Sequence, residues 1–132
     1  MKHLSPAALF ACAVMTAGCT SGHRSVNLDE LRNAEAPYYY VGRSFDGYDV
    51  SYISRYRAGT ANIIYGTCHA GDDQGCSPPL EIQHRLCLGG ATVSIFGRSG
   101  LRRRAAGALR PLSKGARTRP RPVVVFDRGV SC

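Results

Sequence analysis

Two cysteines eight positions apart constrain this chain more than any other feature. The apolar run Ile63-Ile-Tyr-Gly-Thr-Cys68 enters a polar, glycine-rich loop (His69-Ala-Gly-Asp-Asp-Gln-Gly75). Cys76-Ser-Pro-Pro-Leu-Glu-Ile-Gln83 leaves it. Every residue between the cysteines favours a turn, and the flanks alternate or are β-branched, as strands do. The spacing predicts two strands clipped by a Cys68–Cys76 disulfide. Residues 1–132 hold one domain at most, and a core that small gains from covalent bridges.

The compartment is expected to be oxidising. Lys2 and His3 precede an apolar run from Leu4 to Ala17, too short for the roughly 20 residues of a membrane-spanning helix and of the form of a cleaved export signal. It ends in Thr16-Ala-Gly-Cys19, which has the form of a bacterial lipobox, with Thr16 where leucine is usual. The sequence therefore predicts a lipoprotein-type signal over 1–18. Cys19 is then lipidated, 19–36 forms a tether with a short helix, and 37–132 forms the folded domain. The expected location is the extracytoplasmic face of the cell membrane; secretion is the alternative. Of six cysteines, Cys12 is discarded with the signal and Cys19 carries lipid. Cys68, Cys76, Cys87 and Cys132 remain, an even set that allows three pairings. With Cys68–Cys76 formed, Cys87 pairs with Cys132. Loop closure assigns about 2.6 kcal/mol to the short bridge and about 4 kcal/mol to the long one.

Along the domain, Asn27 stands three residues before Glu30 and suits a helix cap, with Pro37 as the stop. Tyr38 to Val41 begins a strand, and Asp46-Gly47 marks a hairpin because both positions accept positive φ. Val50, Tyr52 and Tyr56 are expected on the buried face of the return strand. Leu80, Ile82, His84 and Leu86 alternate with Glu81, Gln83, Arg85 and Cys87, a half-buried strand that Gly89-Gly90 turns into Ala91–Phe96. The period then changes: Ser99 can cap a helix on which Leu101, Ala105 and Ala108 recur, ending before Pro111. Thr118 to Pro122 is extended, and Val123–Phe126, apolar on both faces, is expected to be a central strand. The fold class is α+β: a mainly antiparallel sheet of about six short strands, with one helix packed on a face, stabilised by disulfides.

No complete catalytic set is visible, so no residue is assigned a catalytic role. No serine sits in Gly-x-Ser-x-Gly, and Gly97-Arg-Ser-Gly100 lacks the Lys-Ser/Thr of a phosphate loop. Cys68, His69, Cys76, His84 and Cys87 offer soft ligands, but their spacing matches no zinc module, and Asp72-Asp73 supplies too few oxygens for calcium. No metal or other cofactor is expected. A small hydrolase using Asp46, Asp49, Glu81 or Asp127 with His69 or His84, or a metal-binding envelope protein, is the alternative to a binding domain.

Charge gives the clearest hint of a partner. The formal net charge is +8, carried almost wholly by arginine. Arg102, Arg103, Arg104, Arg117, Arg119 and Arg121 form the candidate contact surface for anionic headgroups or envelope polymers. Tyr38–Tyr40 could stack bases or sugars, although export makes nucleic acid an unexpected partner.

Ile64-Tyr-Gly-Thr-Cys68, Cys76-Ser-Pro-Pro-Leu80 and Cys87 together resemble a motif of actinobacterial secreted or lipid-anchored proteins, in which Tyr-Gly-x-Cys leads to Cys-x-Pro-Pro-Leu and a further cysteine. Tyr40-Val-Gly42, Phe45-Asp-Gly47 and Val93-Ser-Ile-Phe-Gly97 with the following Ala-Leu-Arg-Pro-Leu112 are similar too. The segment from Cys87 to Ala91 is shorter here than in that pattern. The resemblance spans most of 37–112 and implies an envelope lipoprotein with no assigned activity.

Overall fold

The computed structural model describes residues 24–57, 59–68 and 75–126. The expected signal segment, Cys19, His69, Asp72, Asp73, Asp127 and Cys132 lie outside the described residues.

The architecture is α+β. Strand β1 (Arg24–Ser25) leads to helix α1 (Leu28–Arg32), then to the short strands β2 (Tyr39–Tyr40) and β3 (Ser44–Phe45). The long strands follow: β4 (Tyr48–Arg57), β5 (Thr60–Tyr65), β6 (Leu80–Cys87) and β7 (Gly90–Gly97). Helix α2 (Ser99–Ala108), strand β8 (Arg110–Pro111), helix α3 (Lys114–Arg117) and strand β9 (Val123–Val125) complete the chain. The main sheet runs β1-β4-β5-β6-β7-β9, with β3 hairpinned onto β4. All its pairs are antiparallel except β7–β9.

Register explains the core. Ile53, Ile63, Ile82 and Ile95 stand opposite one another across β4 to β7. The next row is Arg55, Ala61, His84, Val93 and Val124. Because side chains alternate along a strand, these rows share one face. Helical residues Leu28, Leu31, Leu101, Ala105 and Ala116 join the same buried cluster, together with Tyr38, Tyr39 and Val41. The opposite face is more polar: half-buried Asn62 and Gln83 are paired between the buried Ser54 and Ser94.

Several local expectations hold. Asn27 caps α1, its side chain accepting from Glu30 N–H at 2.8 Å. Asp46 (φ 53°) and Gly47 (φ 83°) make the β3–β4 turn, both left-handed as that tight hairpin demands. Cys68 and Cys76 are disulfide-bonded with Cα atoms 5.8 Å apart, just beyond the paired ends of β5 and β6.

Others need correction. Three short helices occur among the described residues, where a short one before Pro37 and one packed on the sheet were expected; Ser113, whose hydroxyl accepts from Ala116 N–H, caps the unanticipated α3. Ser99 lies inside α2, whose cap is Arg98 with no side-chain bond. A bulge between Val50 and Tyr52 shifts the alternation of β4, so Ile53 enters the core and Tyr56 is exposed. Tyr38–Val41 does not join the hairpin sheet; its β2 portion pairs with β8 in a separate ribbon. Strand β9 lies at a sheet edge, so its run of valines packs inward on fewer sides than a central strand would.

The sheet has two distinguishable ends. The chain enters through β1, which runs down from Arg55 toward Ile53 of β4. That entry end also carries the β4–β5 and β6–β7 turns and the start of β9. The disulfide end carries the β3–β4 turn, Cys68–Cys76 and the connection from β7 to α2.

Candidate functional site

The arginines expected to act together are divided between the two ends. At the disulfide end Arg104 pairs with Asp46 at 2.7 Å, both side chains largely exposed. Arg102 donates to Phe126 O at 3.1 Å, and Arg98 donates to Tyr48 Oη at 3.3 Å. These contacts offset the placement of three cations in the first turns of α2, where the helix dipole opposes them. Arg98 and Arg102 line an open cleft of about 920 Å³ that also meets the disulfide, Pro79 and Phe96. Arg103 is exposed.

Arg117, Arg119 and Arg121 converge on a second cleft, of about 450 Å³, between the last turn of α2, β8, α3 and the approach to β9. Arg110 joins them there, a residue the sequence reading did not single out. Its guanidinium lies over the Tyr40 ring at 5.0 Å, a cation–π contact that holds it in place. No carboxylate lines this cleft. The chain explains why: from residue 82 to residue 126 there is no Asp or Glu at all. Tyr39, at the cleft floor, donates from its hydroxyl to Pro120 O at 3.2 Å, which ties the arginine-bearing segment to the core. Burial raises the Tyr39 hydroxyl pKa, against the pull of the nearby Arg119 cation.

The tyrosine triplet is structural. Tyr38 is fully buried and its hydroxyl accepts from Gly59 N–H at 3.1 Å; Tyr39 is also buried. Neither ring can stack on a base or a sugar. Tyr65 donates to Gly42 O at 2.9 Å, and burial pushes its hydroxyl to about 12. These bonds lash the 38–42 segment across the sheet.

His84 is likewise enclosed. The neutral ring donates from Nδ1 to Ala61 O (3.1 Å) and accepts at Nε2 from Tyr39 N–H (3.0 Å). Tyr39 O lies 2.7 Å from the same Nε2, an acceptor for the Nε2–H tautomer or for the protonated ring. Desolvation outweighs that attraction and lowers the pKa to about 4. A ring with both nitrogens committed to buried backbone is poorly placed to take a proton from a substrate. Asp46, Asp49 and Glu81 are gathered toward the disulfide end, away from it. Among the described residues no three His, Cys, Asp or Glu side chains cluster as metal ligands would. Cys87 is disulfide-bonded; Cys132, its expected partner, lies outside the described residues.

No protein-family model matches the chain, and neither does any curated protein or solved structure.

Proposed function

We propose that this chain is an envelope lipoprotein, anchored outside the cytoplasm through lipid on Cys19, whose folded domain binds or scaffolds anionic components rather than catalysing a reaction. One observation carries the binding assignment: Arg110, Arg117, Arg119 and Arg121 surround a cleft with no carboxylate in its wall. Guanidinium forks match the oxygens of phosphate and carboxylate, and Arg117, Arg119 and Arg121 along one cleft repel one another unless an anion joins them; Arg110 lines the wall with its guanidinium over Tyr40. The anchor assignment rests on the short apolar run ending in Ala17-Gly-Cys19 and on the even count of cysteines left after it.

Two substitutions test the two halves. Cys19→Ser should release the protein from membranes; material that still sediments with membranes at high salt would refute the anchor. In the soluble Cys19→Ser chain, Arg117→Glu with Arg119→Glu should weaken binding of a soluble anionic polymer such as heparin. Unchanged binding would show that the cleft is not the anion site.

A further inference from the structure

The entry end of the sheet exposes apolar side chains that the core does not use. Leu88, at the β6–β7 turn, is 112% exposed and Leu86 is 41% exposed. Tyr56 and Val123 add apolar surface on the more polar face of the same end. The two turns touch, for a Cβ placed on Gly59 would collide with Leu86. The charged residues that the main sheet and the approach to β9 bring to this end are basic, among them Arg55 in β4, Arg85 in β6 and Arg121 just ahead of β9. Asp and Glu are absent from 50–71 and from 82–126. A single exposed leucine needs no explanation. Two leucines at a turn, bordered by tyrosine and arginine, have the composition of an interfacial membrane anchor.

Chain length allows a membrane to face this end. Arg24 lies level with the row Arg55, Ala61 and His84, and Leu88 stands four residues beyond that row. At about 3.3 Å per residue that rise is at most about 13 Å. Cys19 precedes Arg24 by five residues, a reach of at most about 17 Å. A lipid on Cys19 therefore leaves the Leu88 turn able to reach the bilayer surface.

We propose that the entry end is a membrane-contacting tip, in which Leu86 and Leu88 enter the headgroup–acyl boundary of an anionic bilayer while Arg55, Arg85 and Arg121 meet its phosphates. The orientation rests on the lipid anchor at Cys19; the affinity of the tip does not. The lipid holds the domain at the membrane, and the tip sets which way it stands.

The chain has no tryptophan, so Leu88→Trp gives a single reporter. In lipidated Leu88→Trp protein on vesicles of phosphatidylglycerol and phosphatidylcholine, indole emission should shift to the blue and be quenched by acyl-brominated lipid. Tryptophan introduced as Ser44→Trp, exposed at the disulfide end, should show neither effect. Equal quenching at both positions, or none at residue 88, overturns the orientation. The mature Cys19→Ser chain then tests the tip without the anchor. Adding Leu86→Ser and Leu88→Ser should weaken its partition into the same vesicles by roughly tenfold or more, and an unchanged partition overturns the tip. Mass spectrometry showing no lipid on Cys19 would defeat the anchor alone, since the partition result stands without it.

Discussion

The two ends of the sheet are built on different physical terms. The disulfide end is closed by covalent and ionic contacts: Cys68–Cys76 clips β5 to β6, Arg104 meets Asp46, and Arg98 meets Tyr48. The entry end has tight turns, exposed Leu86 and Leu88, arginines and no carboxylate in its strands. Between them lies the isoleucine row, with His84 one row nearer the entry end. One end uses its side chains to hold the fold; the other leaves them outward. A side chain that contributes little to stability yet exposes apolar area is explained better by contact with a partner than by folding.

Substitutions can break that contrast or sharpen it. The largest effect should come from His84, the buried junction of β5, β6 and the Tyr39 segment. Its folded-state value, about 4, lies below the ordinary 6.5, so the unfolded chain takes up the proton first. Stability should hold above pH 6.5, decline as pH falls toward 4, and lose no more from this group below that. The total is about 3 kcal/mol. Urea titrations of wild type and His84→Gln across this range should show the decline in the first and its loss in the second. Removing the clip with Cys68→Ser and Cys76→Ser should cost about 2.6 kcal/mol, read as a lower urea midpoint. A loss near zero would mean that the disulfide end does not depend on its bridge.

Smaller effects mark the surface. Arg104→Ala deletes an exposed ion pair and should cost under about 1 kcal/mol, shrinking further at high salt. Leu88→Ser should change stability least, by about 0.5 kcal/mol or less. A large loss in that variant would place Leu88 in the fold and dissolve the contrast between the ends.

Much of the frame was legible in the chain because it depends on local chemistry. Asp46-Gly47, Asn27 as a cap, the alternation of Leu80 to His84, and the Cys68–Cys76 loop each encode a structure within a few residues. Features set by distant contacts were not legible. The bulge after Val50 exposes Tyr56 in place of Ile53, and no residue type announces it. The valines of β9 suit a central strand by composition, yet pairing order leaves them at an edge. Tyr38–Tyr40 resembles a stacking surface in sequence, whereas its hydroxyls and backbone find partners in Gly59, Pro120 and His84.

The candidate site follows the same rule. Charge made the arginines conspicuous, but sequence distance grouped Arg102–Arg104 with Arg117–Arg121. Folding sends the first group toward the disulfide end and brings Arg110 to the second. Arg110 follows Leu109 at the end of a helical run and carries no local sign of its role; only the β2–β8 ribbon sets it beside Tyr40. Leu88, one exposed residue in a turn, becomes informative only once register shows which end of the sheet it shares with the chain entry.

Paramagnetic broadening of backbone amides by nitroxide-labelled headgroups, in lipidated protein on small bilayer discs, reads the orientation of the domain residue by residue. Strong broadening is expected at Gly59, Gly89 and Gly90, fading along the strands to nothing at Gly47, Gly66 and Gly97. Broadening that is uniform, or strongest at the disulfide end, would contradict that orientation.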